Sequence, residues 1–541
     1  MKRIFFALAF CCLAQGFVRA QQSVPRPRLV VGIVIDQMRW DYLYRYYDRY
    51  APTGGFKRFL NGGFSCDNTM IPYTPTYTAC GHSCIYTGSV PAINGITGNT
   101  WWDRLQKRSV YCTEDKTVNT VGSNSALGKM SPKNLLTTTV CDELKQATNN
   151  RSKVIGIAIK DRGGILPAGH SANAAYWYDN TVGTWITSDY YMTALPKWVT
   201  DFNDQKLVDK YYNQGWDLLY PAASYTQSSA DEKSYEAKAL GSNKFPYDLK
   251  QYAGKDYGKI ASTPMGNTLT AEFVKAAITG EELGADNITD FLAVSFSSTD
   301  YIGHSYGPNS IEIEDCYLRL DKDLGNLFSF LDSKVGAGQY TVFLSADHGV
   351  LQVPEYLKEN KLPGGRMFMG TVTNTMNKLL SEKYKLPAII SSDENYQITL
   401  NHHILDSANV DEDDVSRWII KYLYKDSAVS GVFALKDLNE VPLPSTLRKM
   451  FNNSYYRNRS GDIQIILKPD YIDALSNAGT THGLWNPYDS HIPLLWYGWG
   501  IKKGKSNHEV YMTDIAPTIS ALLKIQMPSG SIGQVIEEVL K

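Results

Sequence analysis

The sequence predicts an α/β protein, a three-layer α/β/α sandwich interrupted by inserted subdomains. Three observations predict it. Four short apolar runs show no polar alternation, as expected of strands buried on both faces of a parallel sheet. Helical patterns lie between them, for example Ser310 to Leu331, and alternating strands and helices build such a sandwich. Each run also leads to a polar residue capable of chemistry, and open α/β sheets form their sites beyond the carboxyl ends of the strands.

The elements follow in chain order. Residues 1–20 read as a signal peptide rather than fold: Lys2 and Arg3 precede a short apolar stretch, and Val18-Arg19-Ala20 resembles a cleavage site. The stretch is too short to span a bilayer. Cleavage after Ala20 removes three positive charges and takes the formal net charge from −1 to −4. The first part of the core is expected over 21–166. There Leu29 to Ile35 ends at Asp36, and Val154 to Ile159 ends at Lys160. Residues 167–286 are polar and aromatic, with Tyr176-Trp177-Tyr178 and Tyr211-Tyr212, and read as an inserted cap subdomain. The alternative, further strands of the sheet, stays open at this level. The core resumes over 287–350, where Phe291 to Phe296 runs out to Asp300 and Tyr340 to Leu344 leads to Asp347-His348. A second inserted subdomain is expected over 351–478, and the core closes over 479–541.

Composition narrows the function classes. Hydrophobic residues make up 43% and charged residues 20% of 541, which excludes wholesale disorder. A net charge of −1 lacks the basic excess of a general nucleic-acid binder. The 36 tyrosines and 11 tryptophans are read as packing residues with a polar tip. Six cysteines follow residue 20, with no CxxC pair, which speaks against a cysteine zinc site. No other stretch is apolar and long enough to be transmembrane.

The chemical residues gain meaning together. Asp36, Asp300-x-x-x-His304, Asp347-His348 and His482 supply three carboxylates and three imidazoles. Such a set suffices for two zinc ions with open positions. A metal pair of this kind clamps the attacking and leaving oxygens of an in-line displacement at phosphorus. Thr78, in Pro75-Thr76-Tyr77-Thr78-Ala79-Cys80, is the candidate nucleophile, since its hydroxyl needs a base or metal to become reactive. Singly, each residue has an ordinary explanation. Asp36 fits a turn, His304 an i,i+4 pair with Asp300, and Thr78 a helix cap. Their joint order at strand ends carries the argument.

That order resembles the alkaline phosphatase superfamily. Asp36-Gln37-Met38-Arg39-Trp40-Asp41, Lys160-Asp161-Arg162, Ser345-Ala346-Asp347-His348-Gly349 and Gly479-Thr480-Thr481-His482 resemble, more narrowly, its phosphate-irrepressible PafA-type alkaline phosphatases. Met512 to Thr518 resembles the start of the superfamily's C-terminal helix. The resemblance implies an alkaline-phosphatase-like fold and two Zn²⁺ ions. Asp36, Asp347 and His348 would hold one ion, which also contacts Thr78; Asp300, His304 and His482 would hold the other. It implies that Asn99, Lys160 and Arg162 bind phosphoryl oxygens. The expected protein is a secreted, periplasmic, monomeric enzyme that hydrolyses small phosphate monoesters through a phosphothreonine, with no nucleic-acid partner and no stable membrane insertion. A nucleotide pyrophosphatase/phosphodiesterase on the same scaffold is the rival. Lys160 and Arg162 together favour the dianionic monoester. Cys80 and Cys84 depart from the pattern and are read as small buried hydrophobes.

Overall fold

The computed structural model describes residues 24–474 and 476–541. The expected signal peptide, residues 1–20, lies outside the described residues.

The four apolar runs form the centre of a ten-stranded sheet. Its strands are β1 (Leu29–Ile35), β2 (Phe64–Cys66), β3 (Thr120–Val121), β4 (Val154–Ala158), β5 (Ala174–Asp179), β6 (Thr184–Ser188), β7 (Asp290–Phe296), β8 (Tyr340–Ser345), β9 (Leu494–Gly498) and β10 (Gly504–Ser506). Their order is β10-β2-β9-β8-β1-β7-β4-β5-β6-β3. The inner run β8-β1-β7-β4-β5 is parallel throughout. Antiparallel pairings of β9 with β8 and of β6 with β5 flank it. Strands β1, β4, β7 and β8 are buried along their whole length, as continuous apolar runs require.

Helices cover both faces, giving the expected three-layer α/β/α sandwich. On one face lie α1 (Thr78–Thr87) and α2 (Asp161–Ala168). Tyr86 of α1 reaches Gly32 of β1, its hydroxyl donating to the Gly32 carbonyl. On the other face α3 (Pro264–Gly280) packs Phe273 against Trp185 of β6, with ring centroids 4.3 Å apart. Next in sequence come α4 (Ser298–Tyr306) and the long α5 (Ile311–Leu331). Ser310 caps α5 by accepting from the Ile313 amide, so the helical pattern read from Ser310 begins at its cap. The C-terminal helix α6 spans Ile515–Leu523.

The two interruptions differ in kind. Residue 167 falls inside α2, and residues 174–188 supply β5 and β6 to the central sheet. The aromatic run there is a buried strand, because Tyr176 and Trp185 meet Phe273 rather than solvent. The rest of that segment, through Trp216 and Tyr247, lies outside the sheet. Within 351–478 a separate four-stranded sheet forms, in the order Ile390–Ser392, Gln397–Leu400, Ile463–Leu467, Val429–Ala434. It has its own core of Met376, Leu380, Ile398, Val415, Ile419 and Ile463. A separate two-stranded antiparallel ribbon pairs Thr100–Asp103 with Arg108–Tyr111. Arg104 ties it to this lobe by bonding Asp462 at 2.7 Å. All six described cysteines are buried and free, including Cys80 and Cys84.

Candidate active site

The strand ends converge as the parallel sheet dictates. Asp36 follows β1, Lys160 stands between β4 and α2, Asp300 lies in the first turn of α4 after β7, and Asp347-His348 follow β8. Asp36, Asp347 and His348 are fully buried, and Thr78, Asp300, Lys160 and His482 nearly so. Thr78 is the first residue of α1, with Tyr77 as the cap residue, so it is not itself the cap. Glycine permits the approach: a Cβ on Gly81 would stand 2.4 Å from the Asp347 carbonyl oxygen. The first turn of α1 therefore lies directly on the end of β8. His482 is brought in by Gly479, whose φ of +70° and 2.2 Å clearance from the His304 carbonyl admit no side chain.

Two groups of ligand atoms result, Asp300/His304/His482 and Asp36/Asp300/His348, each within 4.8 Å. Asp300 is shared by both. Asp347 Oδ2 reaches 3.3 Å from His348 Nε2 but completes neither group. Thr78 Oγ1 lies 3.4 Å from His348 Nε2. The histidines are oriented alike. Nδ1 of His304, His348 and His482 lies 2.8, 3.0 and 2.7 Å from the carbonyls of Thr480, Gly349 and Thr76. A carbonyl only accepts, so each Nδ1 carries the hydrogen and Nε2 faces the cluster. The His348 and His482 rings stack at 3.5 Å, and His304 stands 5.1 Å from His482. His482 thus neighbours both other imidazoles, with Thr78 beside His348.

The charges are out of balance. Lys160 Nζ is 2.7 Å from Asp36 Oδ2 and 2.6 Å from Asp300 Oδ2. The ammonium thus pairs with two of the three buried carboxylates and leaves Asp347 without it. Burial works against ionisation of Asp300, but His304 and Lys160 hold its carboxyl well below the usual range. Burial pushes Asp36 and Asp347 up; the charge of Asp300 adds to both, and that of Asp36 adds to Asp347. Burial drives His348 down to about 3 and His482 well below its ordinary value. Asp36 Oδ1 and Asp347 Oδ2 are buried without a hydrogen-bond partner, whereas Asp36 Oδ2 has the Lys160 ammonium. Orphaned carboxylate oxygens beside the neutral Nε2 lone pairs of His348 and His482 form a donor set that suits divalent cations, which pair such charge where protons do not.

Around this cluster stand the expected anion contacts. Asn99 accepts the Ala79 amide on Oδ1 at 2.9 Å, which leaves its Nδ2 hydrogens to donate. Arg162 Nη1 donates to the Tyr111 hydroxyl at 2.9 Å, which donates to Asp161 at 2.8 Å. Arg162 Nε has no partner. The sequence reading missed several supporting groups. Gln37 donates to Asp300 at 2.7 Å and, through its amide, to Asp347 at 3.1 Å. His82 Nδ1 is 2.9 Å from the Thr78 carbonyl and 3.4 Å from Asp347 Oδ2. Tyr301 lays its ring 5.2 Å from the Lys160 ammonium. Position 37 adjoins a ligand and 82 is one helical turn from Thr78, and those offsets are the signals that pointed to them. Tyr111 offered none.

The sequence model for type I phosphodiesterase / nucleotide pyrophosphatase matches residues 30–489. Alkaline phosphatase PhoV of Synechococcus elongatus is 55% identical over 522 residues, covering 96% of this chain and 94% of the relative. A Myroides odoratus protein named calcium-transporting ATPase is 51% identical, with 98% of each covered. Alkaline phosphatase PafA of Elizabethkingia meningoseptica is 50% identical over 98% of this chain and 97% of its own length. The crystal structure of PafA superposes with a TM-score of 0.94, covering 96% of this chain and all of that one. A PafA variant altered at a threonine, an asparagine, a lysine and an arginine superposes at 0.93, with the same coverage.

Proposed function

The chain belongs to the type I phosphodiesterase / nucleotide pyrophosphatase family, and from that premise we propose that it is an alkaline phosphatase hydrolysing phosphate monoesters at Thr78. The observation that carries the reading is the position of Thr78 Oγ1, 3.4 Å from His348 Nε2 at the edge of two ligand groups that share Asp300. The names of PhoV and PafA support it. The name of the Myroides relative shares with them the cleavage of a phosphoryl group. The solved PafA variant supports the roles of Thr78, Asn99, Lys160 and Arg162, since it is altered at the same four residue types.

Two zinc ions are the proposed cofactors. Asp36, Asp347, His348 and Thr78 would hold one; Asp300, His304 and His482 would hold the other. When bound, such ions act as Lewis acids that lower the pKa of a hydroxyl or water and offset phosphoryl charge. Thr78 Oγ forms a bond to phosphorus, the ester P–O bond breaks, and the alcohol leaves after taking a proton. Water then displaces Thr78 from the phosphothreonine, releasing inorganic phosphate and returning the proton to the hydroxyl. The N-terminus of α1, whose Ala79 amide is taken by Asn99 Oδ1, would turn its positive dipole end to the phosphoryl group. Asn99 Nδ2, Lys160 and Arg162 neutralise its oxygens, and phosphoryl transfer consists mostly of such positioning and electrostatics.

A diester has one fewer charged oxygen and needs room for a second ester group. Two cations beside the nucleophile therefore favour the monoester. Export through residues 1–20, to the periplasm, belongs to the same reading, as does action as a monomer. Among the described residues no helix is long and apolar enough to cross a membrane. The reading is tested with a phosphate monoester, its methyl diester and a sulfate ester on zinc-loaded protein of measured metal content. Faster turnover of the diester than of the monoester overturns it.

A further inference from the structure

Thr78 stands beside His348, and His304 neighbours His482 on the Asp300 side of the cluster. An in-line displacement puts the leaving oxygen opposite the attacking one, so the leaving group departs past His304. There the structure holds a cavity of about 220 Å³, lined by His304, Arg366, Asp473, Ser476, Thr480 and Thr481 among others. Its size suits a small alcohol rather than a nucleoside. Two charged side chains other than His304 face it, and they differ. Arg366 is spent: it forms a two-point pair with Glu355, at 3.1 and 2.6 Å, and donates to the Gly479 carbonyl at 2.7 Å. Asp473 accepts one backbone amide, that of Met369, at 3.0 Å on Oδ1. Among the described residues no lysine, arginine or histidine pairs with it. Asp393 adds a second carboxylate nearby.

We propose that this cavity receives the leaving group of the ester and that Asp473 selects for it, favouring small alcohols that carry an ammonium group over those that carry a second anion. The inference rests on the phosphatase reading above and deepens it. An ammonium group placed in the cavity finds Oδ2 of Asp473 free to accept, whereas a carboxylate or second phosphate meets an uncompensated negative charge. At an effective dielectric near a protein surface, such a contact is worth roughly a tenfold change in an equilibrium or rate ratio after screening.

The test compares the wild-type chain with Asp473→Asn, which keeps the Oδ1 acceptor for Met369 and removes only the charge. Three esters are assayed at equal zinc content: 2-aminoethyl, 2-hydroxyethyl and carboxymethyl phosphate. Normalised to the hydroxyethyl ester, kcat/KM for the aminoethyl ester is expected to fall about tenfold in Asp473→Asn and that for the carboxymethyl ester to rise several-fold. Asp473→Glu, which restores the charge, is expected to return both ratios toward wild type. Calorimetric binding of the same esters to Thr78→Ala, with and without Asp473→Asn, reads the same ratios without turnover. Equal changes for all three esters, or no change in the ratios, overturns the proposal. Absence of hydrolysis by the wild-type chain overturns the phosphatase reading instead, and the binding ratios still decide the role of Asp473.

Discussion

Two regions of the molecule meet at the candidate site, and they are built differently. The ligand cluster hangs from the ends of parallel strands and the starts of the helices that follow them. Asp36, Asp347 and His348 are wholly buried, and glycines at 81 and 479 let α1 and the His482 loop press against it. The residues that would address the rest of the substrate come from additions to that frame. Asn99 precedes the ribbon, Tyr111 ends it, and Asp473 belongs to the lobe inserted after β8. The difference teaches that the sheet sets the candidate reacting centre, with Lys160 and Arg162 at its edge, while Tyr111 and Asp473 reach it from added segments.

Breaking the frame has the largest expected effect. Chelation is expected to abolish hydrolysis and added zinc to restore it, with the metal content followed by elemental analysis. Asp347→Ala or His482→Ala is expected to show part of that loss, since each removes a proposed ligand. Full activity in a preparation shown to be metal-free contradicts the mechanism. Next comes Thr78→Ala, expected to lower monoester kcat/KM by about a thousandfold or more while bound zinc is retained. Thr76, whose hydroxyl donates to the Leu484 carbonyl at 3.0 Å, is the control and is expected to matter far less.

The anion contacts sharpen the comparison, because they act on one substrate class more than another. Lys160→Ala/Arg162→Ala removes two charged contacts, each worth about 1.5–3 kcal/mol. The monoester/diester ratio of kcat/KM is therefore expected to drop by roughly two to four powers of ten, at about 1.4 kcal/mol per tenfold. Lys160 also pairs with Asp36 and Asp300, so the measurement is made at equal zinc occupancy. Equal losses on both substrates mean that the pair serves general electrostatics, and the preference for a monoester falls with it.

The frame was legible in the sequence for a physical reason. A strand buried on both faces has to be apolar throughout, and β1, β4, β7 and β8 announce themselves that way. The residue after such a strand lies at the site by topology, which is why Asp36, Lys160 and Asp347 were readable. The strands β5 and β6 were not clearly readable, because their aromatic residues are buried by Phe273, nearly a hundred residues away from both by sequence. The resemblance groups Asp347 with Asp36 and His348, and the atoms of Asp36, Asp300 and His348 lie within 4.8 Å of one another. Which oxygens stand nearest one another depends on side-chain direction, which residue order does not encode. Asp473 and Tyr111 carry no local motif, and only the folded chain brings them to the site.

Tyr111 gives the smallest effect and the most direct measure of how an added segment reaches the centre. Its hydroxyl accepts from Arg162 Nη1 at 2.9 Å and donates to Asp161 at 2.8 Å. The guanidinium is thereby held by a group on the ribbon rather than by the sheet. Burial opposes the charge on Arg162, and neighbouring Tyr111 and Asp161 sustain it. Tyr111→Phe removes the acceptor and keeps the ring, so Arg162 stays charged but loses its anchor. A hydrogen bond to a charged group is worth about 1.5–3 kcal/mol when lost outright. Here a rotated guanidinium or water recovers part of that, and the expected fall in monoester kcat/KM is about three- to thirtyfold, with little change for the diester. A merely structural role predicts the same loss whatever stands at position 162. A positioning role predicts that Tyr111→Phe costs almost nothing further once Arg162→Ala is present, so the double-mutant cycle separates the two. Additive losses across that cycle would mean that the ribbon supports the fold and not the arginine, and the division between a fixed centre and an added layer of discrimination would not extend to Arg162.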